Sequence, residues 1–454
     1  MKRRYALAAL VFLFTSAQVR SEATPNTAPE QTPWSDSNGD TDWDSESENN
    51  DGWEAFEESS APALPISGFL ESTTSYRTKN NNVLAENWVA QDFRGRIQTY
   101  YHANQYHISY KGEVYYDDID HTWHAKNREA YLGFSPTQAI DVRAGRQPLT
   151  WGTGDLVFLN DFFPKDWVAF FSGYDQQYLK APSDAIKISG YSDLFNIDVV
   201  WTPEFDPDNY ITGEKLSFYS TFAQTIVAAP PKLSATQPGS SLSNGELAIR
   251  AYKNANGIEY AAYLYHGYFK TPEGFDTTTQ QLYFPELSSM GASIRSAVLG
   301  GIGNAEYAYW HSKDSDSGNN AYTPPSQSRF LLGYEREIVR NFTASFQYYW
   351  EYTHDYENVK SAQPVVSNRP RKVRQLLTSR FTLNTQKSNL VYSAFVFYSP
   401  SDRDYYVIPN VMYRLGDHWQ FNLGANLLGG QHPYTQFGQM ETNSNAYLRA
   451  KYLF

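Results

Sequence analysis

Residues 65–454 repeat one pattern that few folds can accommodate. Short segments of about 9–13 residues, the length of a tilted membrane strand, alternate apolar and polar side chains and are separated by polar connections. In the last segment Leu448 and Ala450 fall on one face, whereas Arg449 and Lys451 fall on the other. Because successive side chains of a β-strand point to opposite faces, the pattern predicts an all-β fold.

About eighteen such segments can be placed, and sixteen is an alternative, because boundaries read from one sequence carry an error of about 2–4 residues. They fall at 66–77, 92–101, 105–117, 127–135, 139–150, 185–191, 195–203, 244–254, 257–269, 287–299, 302–312, 328–338, 341–353, 373–385, 388–399, 403–415, 418–428 and 443–454. Short turns follow the even-numbered segments, and mostly longer, polar loops follow the odd-numbered ones. Outer-membrane barrels have this asymmetry, with short periplasmic turns and long external loops. We therefore predict a transmembrane antiparallel β-barrel over 65–454.

Residues 1–23 have the layout of a secretory signal peptide: a basic start, an apolar run over 6–14 and small residues before the expected cleavage site. Cleavage after Ala17 or after Ala23 fits, and the second is preferred. The apolar run is too short to cross about 30 Å of hydrocarbon as a helix. No other stretch approaches 18 uninterrupted apolar residues, so any membrane span must be a barrel strand, and the expected location is the cell outer membrane.

Residues 24–60 contain eleven acidic residues and no Lys or Arg. Such a segment repels itself and lacks the apolar residues that a core needs. We therefore predict that 24–64 is a disordered periplasmic segment. It is either a solubilising linker or a docking segment that holds a periplasmic partner through Trp43, Trp53 and Phe56.

Composition excludes several classes of protein. The chain has no cysteine, which excludes a disulfide framework, cysteine-ligated metal sites and a cysteine-linked lipid anchor. The formal charge is −12 and no basic block is present, which argues against nucleic-acid binding. Apart from the acidic segment 24–60, the chain is nearly balanced in charge. The 36 tyrosines favour an aromatic-girdled sheet.

The chain ends on Phe454, with Tyr452 two residues earlier. This ending resembles the closing strand of outer-membrane barrels. The resemblance implies that the barrel-insertion machinery reads this strand, so we expect that machinery and outer-membrane lipid as partners.

The connection 151–184 is too apolar for a solvated loop. Its large apolar side chains must be buried, either inside the lumen as a constriction or at the barrel mouth. If it constricts the lumen, the residues expected to matter are Trp151, Asp155, Asp161, Lys165 and Asp166.

The stretch around this loop resembles a segment of large barrels of the alginate-export type and their uncharacterised relatives. The residues that carry the resemblance are Gly145, Arg146, Gln147, Trp151, Gly152, Asp155, Asn160, Asp161 and Pro164. It covers about forty residues and implies a passive or gated conduit for polar or amphipathic solutes. A basic lumen suits a polyanion such as alginate, whereas 61–454 is slightly acidic, which argues against alginate itself.

Alternation also predicts which basic residues line the pore. Eight of them lie on faces opposite apolar neighbours and should point inward: Arg94, Arg96, Lys111, Arg143, Lys187, Arg250, Arg374 and Arg380. With the acidic residues of the loop they could set the ion preference of a pore. The alternative is that they form ion pairs that only hold the inner wall together.

Metal binding and catalysis find less support. His121 and His124 lie near Asp117, Asp118 and Asp120, but the spacing is weak for a metal site and a polar surface loop is preferred. The chain has no G-x-S-x-G motif, and nothing near His102, His107 or His266 in sequence assembles a nucleophile, a base and an orienting acid. We predict no metal, no cofactor and no enzymatic activity.

Together these features predict an outer-membrane channel for polar or amphipathic solutes, narrowed by loop 151–184. Two alternatives stay open. One is a closed structural or docking barrel that recruits a periplasmic partner through its acidic segment, and the other is an outer-membrane hydrolase.

Overall fold

A computed structural model describes residues 65–241 and 244–454, and eighteen antiparallel strands form its framework. In chain order they are β1 (Ile66–Arg77), β2 (Trp88–Ala103), β3 (Tyr106–Asp117), β4 (Thr122–Thr137), β5 (Ile140–Pro148), β6 (Pro182–Gly190), β7 (Asn196–Thr202), β8 (Glu246–Ala255), β9 (Ile258–Tyr268), β10 (Glu286–Val298), β11 (Gly301–Ser312), β12 (Gln327–Val339), β13 (Phe342–Thr353), β14 (Val373–Thr385), β15 (Leu390–Ser399), β16 (Asp404–Leu415), β17 (Trp419–Gly430) and β18 (Asn445–Leu453). Each overlaps one of the predicted segments, so the strand count of eighteen is confirmed. The predicted signal peptide 1–23 and acidic segment 24–64 lie outside the described residues.

The sheet closes on itself. Each strand pairs with the next one along the chain, and β18 pairs with β1. The last residue completes the closure, because the amide of Phe454 donates to the carbonyl of Gly68 and the amide of Gly68 donates back, at 3.0 and 2.9 Å. Closure removes the exposed sheet edges that would otherwise invite aggregation.

Some boundaries differ from prediction. Strand β2 begins at Trp88 rather than at 92, and β4 runs from 122 to 137 rather than from 127 to 135. The β3–β4 ladder continues to the turn because its cross-strand pairs still pack, as in the stacked rings of Tyr115 and His124, 4.8 Å apart. The loop after β5 spans 149–181 rather than 151–184, since β6 begins at Pro182.

The two faces of the barrel have opposite character. Outward side chains are large, apolar and exposed, as at Leu70, Phe93 and Ile97, while the intervening positions bury charged groups such as Glu71 and Arg94. An apolar exterior around a polar interior is the arrangement of a membrane barrel and the reverse of a soluble one.

The connections confirm the predicted asymmetry. Turns after the even-numbered strands are short, and one is the Asn256–Gly257 pair, in which both residues have a positive φ, as a tight two-residue hairpin requires. Most loops after the odd-numbered strands are long, although 118–121 and 400–403 are as short as the turns.

The long loops carry the remaining secondary structure. The described part of the chain contains two short helices, α1 (Trp167–Ser172) and α2 (Tyr356–Ala362), together with 3-10 turns at Gln176–Leu179, Lys313–Ser315, Val366–Asn368 and Gly438–Asn443. Short paired strands lie at Phe218–Ser220, Thr225–Val227, Ala235–Thr236, Gly274–Asp276 and Gln281–Tyr283. Across 65–241 and 244–454, no helix is both long and apolar enough to cross a membrane.

Apolar side chains are buried inside the barrel in two clusters, each formed by loop residues and inward strand residues. The first joins Val157, Leu159 and Phe171 of the loop after β5 to Tyr349, Leu376, Phe395, Phe397, Tyr406 and Leu428 of β13–β17. The second joins Leu149, Trp151, Phe162 and Phe163 to Val200, Ala248, Tyr263, Tyr265 and Leu287 of β7–β10. The loop therefore packs on the inner face of the wall.

Candidate pore and constriction loop

The loop 149–181 is shaped by local caps and turns. The side chain of Asp166 accepts a hydrogen bond from the amide of Ala169, 2.7 Å away, and so caps helix α1. The helix ends at Gly173, whose φ of 86° is a left-handed value that favours glycine. These two residues set where the chain enters and leaves the helix inside the barrel.

This loop reaches the wall opposite its origin. Arg380 on β14 donates two hydrogen bonds to the carboxylate of Asp155, at 2.6 and 2.7 Å. Strand β14 is the ninth strand after β5, half of the eighteen around the ring, so it lies opposite the strand from which the loop departs. Gln347 on the neighbouring β13 exchanges two further hydrogen bonds with the backbone of Asp155, both 2.8 Å long.

Glu306 on β11 holds the first half of the loop. Its carboxylate accepts hydrogen bonds from the amides of Thr153 and Asn160 at 2.7 and 3.0 Å, and from both of their side chains. Gly152 has a φ of 92°, and a Cβ there would lie 3.0 Å from the Glu306 carboxylate. A glycine is therefore required for the loop to approach this buried acid.

The second half of the loop is held by β16–β18. The carbonyl of Phe171 accepts hydrogen bonds from the side chains of Asn426 and Asn445, at 3.2 and 2.8 Å. Asp175 lies 3.1 Å from both Arg449 and Lys451. Burial alone would raise the pKa of Asp175, but these two cations outweigh it and hold the pKa below its usual range, so the carboxylate stays charged.

Tyr178 is the centre of a cationic cluster beside β2–β4. Its hydroxyl donates to Glu113 at 3.2 Å and accepts from Arg96 at 3.1 Å. The guanidinium carbons of Arg94 and Arg128 lie 4.5 and 4.9 Å from the centre of its ring. One tyrosine thus makes contact with three arginines of the inner wall.

All eight basic residues predicted to line the pore lie on the inner face of the barrel, and each forms an ion pair. Arg94 and Arg96 pair with Glu113, Lys111 with Glu129, Arg143 with Asp141, Lys187 and Arg250 with Asp198, Arg374 with Asp402 and Arg380 with Asp155. The inner wall therefore carries both signs of charge in close contact.

The five predicted constriction residues behave differently from one another. Asp155 meets a wall cation, and Trp151 packs on Phe163 and Tyr263 in the second cluster. Asp161 and Lys165 instead pair with each other at 2.9 Å, and Asp166 caps the helix. Alternation along strands carries no information about such contacts within a loop.

Several anchoring residues were missed by the sequence analysis. Glu306, Gln347 and Arg449 occupy inward strand positions, so alternation could have found them. Arg128 was harder to place, because an irregularity in the β3–β4 register beside Lys111 shifts the alternation of β4. The predicted partner-binding residues Trp43, Trp53 and Phe56 lie outside the described residues.

The candidate metal ligands form a compact group. One ligand atom each from Asp117, Asp120 and His124 lies within 4.8 Å of the others. Asp120 is 2.8 Å from His124, and Asp117 pairs with Lys215, while Asp118 and His121 form a separate exposed pair at 3.6 Å. Each of these side chains thus has an ion-pair partner.

The candidate catalytic histidines are on strands. His102 and His107 stack on each other, and His266 lies 3.2 Å from the Ser288 hydroxyl. A different residue, His311, lies between Ser326, at 3.4 Å, and Asp316, at 3.1 Å. Ser326 is only 3% exposed and its hydroxyl accepts the amide hydrogen of Ser312, so a substrate has no access to it as a nucleophile.

Comparison with solved structures identifies the architecture. OccK5 (OpdH) of Pseudomonas aeruginosa is similar at a TM-score of 0.50 and 8% identity, covering 87% of this chain and 99% of that chain. The described chain has the fold of an outer-membrane porin. OccD3 (OpdP) of the same organism scores 0.49 at 11% identity, covering 87% and 92%, and a mutant Rhodopseudomonas blastica porin scores 0.38 at 11%, covering 86% and 100%. This fold places the protein in the outer membrane.

No family model matches the chain, and no curated protein matches it. The narrower resemblance to alginate-export-type barrels is therefore not confirmed, whereas the broader prediction of a porin-like outer-membrane barrel is confirmed.

Proposed function

We propose that this porin-like barrel is a channel for polar or amphipathic solutes and that the loop after β5 narrows its lumen. The observation that carries the proposal is the pair of Asp155 and Arg380. A loop that leaves the barrel at β5 and is held as far round the wall as β14 occupies part of the cross-section of the lumen. Solutes must then pass the edges of the loop.

The inner wall supports a role in selecting polar solutes. Its charged side chains are arranged as close pairs of opposite sign, so the surface is polar without a large net charge of either sign. Such a surface favours solutes that carry charges or dipoles over purely apolar ones. Within the described residues, nothing favours the docking barrel or the hydrolase over a channel.

The test is single-channel recording in a planar bilayer with the refolded protein. We expect stable open steps, and a reversal potential under a salt gradient that reports the ion preference. A variant in which residues 152–165 are replaced by a short Gly-Ser linker should have a conductance several-fold higher. Absence of open steps in both proteins, with insertion verified by the gel shift between boiled and unboiled samples, would refute the channel. An unchanged conductance in the shortened variant would refute the constriction.

A further inference from the structure

The wall of the barrel is incomplete beside β4. This strand pairs with β3 from Thr122 onward, but its pairing with β5 begins only at Ala130. The stretch 122–129 therefore has an unpaired edge on the β5 side. In all the remaining strand pairs of the ring, at most four residues of a strand are unpaired at the outer end.

The neighbouring strands explain the gap. Strands β5 and β6 have 9 residues each and β7 has 7, so the wall is lowest here. A tilted strand that spans the membrane has about 9–11 residues. These strands are therefore too short to extend above the membrane surface. Both of the longest loops leave the barrel here, after β5 and β7, and their residues Asp166 and Asn209 form a β-bridge and line the same cavity as 125–128 of β4.

Two cavities meet at the gap. The inner one, about 630 Å³, lies between the inner face of β2–β4 and the loops, and the outer one has about 790 Å³. Four consecutive residues of β4, 125–128, line the outer cavity although their side chains alternate between the two faces, so this cavity lies at the open sheet edge. The residues common to both cavities are Lys126, Arg128, Asp166 and Asn209.

Arg128 bridges the gap. Its guanidinium donates to the carbonyls of Gln177 and Lys180, at 3.1 and 2.8 Å, and lies over the Tyr178 ring. The loop side of the gap is joined by a hydrogen bond from the side chain of Asn209 to Asp166, 2.8 Å long. The Arg128 side chain therefore closes the gap between the two cavities, and its removal would open it.

The outer surface indicates how high the gap lies. Arg146 and Asp184 form an ion pair at 2.8 Å on the outside of the barrel, level with the first β4–β5 pair at Ala130. Neither an exposed ion pair nor an open sheet edge is tolerated against hydrocarbon. The gap therefore opens at the level of the lipid headgroups or above it.

We propose that this gap is a lateral entrance to the lumen, closed by Arg128, through which small charged solutes enter from the surface of the outer leaflet. The outer cavity is lined by Lys126, Arg128 and Arg146 and by Asp166, Asp184, Asp206 and Asp208. This lining excludes acyl chains and suits solutes that carry charge. The proposal rests on the proposed channel function and adds a second route into the same lumen.

The absence of cysteine allows a direct test of this route. Thr212 lines the inner cavity and not the outer one, so Thr212→Cys reports access to the lumen side. A membrane-impermeant, charged thiosulfonate reagent is added outside vesicles that contain the folded protein. In the Arg128→Ala background we expect modification about tenfold faster than in the parent, with Arg128→Lys in between. Equal rates in all three would overturn the proposal. Arg403→Ala, on the outer rim between β15 and β16, is the matched control and should leave the rate unchanged.

The height of the entrance is tested separately. Asn127→Cys, at the rim of the gap, should react with maleimide attached to phospholipid headgroups in the vesicles, whereas Asn304→Cys, inside the barrel on β11, should not. Absence of reaction at both positions would overturn the placement at the membrane surface. Labelling does not require conduction, so a silent protein with Arg128-dependent labelling would refute the channel alone. A conducting protein without that dependence would refute the lateral entrance alone.

Discussion

Breaking the ion pair between Asp155 and Arg380 should release the loop from the wall opposite its origin. The pair has two charge-assisted hydrogen bonds of 2.6 and 2.7 Å, and its side chains are 27% and 19% exposed. A hydrogen bond to a charged group contributes about 1.5–3 kcal/mol, and partial exposure lowers this. We expect Asp155→Asn to lower the free energy that holds the loop on the wall by about 2 kcal/mol. This loss raises the population of the released loop about 30-fold.

The assay is the fraction of time that single channels spend in a higher-conductance substate. Asp155→Asn and Arg380→Gln should each raise that fraction by about this factor, and the exchange Asp155→Arg with Arg380→Asp should lower it again. Glu441→Gln breaks an exposed ion pair with Lys79 and should have no effect. If both single variants kept the wild-type fraction, the loop would be held by its apolar contacts and the reasoning from the ion pair would be wrong.

Three further results are expected. Glu306→Ala removes the acceptor of four loop hydrogen bonds and should speed hydrogen exchange at residues 153–160 at least tenfold, with Glu306→Gln giving a smaller change. Tyr178→Phe should lower the thermal midpoint less than Tyr178→Ala, because it keeps the ring against the arginines; equal losses would contradict the cation–π contacts. Burial raises the pKa of Asp208 to about 6, opposed by hydrogen bonds from the loop and by Lys165 and Lys270. The stability that its protonated form adds is complete below about pH 4 and is lost as the pH rises through about 6. Hydrogen exchange of the backbone amides at 165–167, corrected for its intrinsic pH dependence, should therefore be slower at pH 5 than at pH 7. Asp208→Asn should remove this difference.

The barrel could be predicted because a membrane strand obeys a local rule. Each residue faces either lipid or lumen, so the alternation that places Leu448 outward and Arg449 inward is visible without any partner strand. Turn length gives a second local signal, since adjacent antiparallel strands need only a few residues to connect. The same rule placed all eight basic candidates on the inner face.

The loop contacts could not be predicted in the same way. That Asp155 binds Arg380, whereas Asp161 binds Lys165, depends on the path of a segment without periodicity. The gap beside β4 likewise follows from how far each of two neighbouring strands extends, and an error of a few residues at either end would hide it.

By itself, therefore, the sequence determined the all-β class, the strand number and the inward or outward direction of most strand residues, because these depend on periodicity within each segment. Tertiary structure alone decided that the loop reaches the wall opposite its origin, which charges are paired, and where Arg128 meets the loop. Those outcomes depend on contacts between residues far apart in the chain, and closure of the barrel brings such residues together.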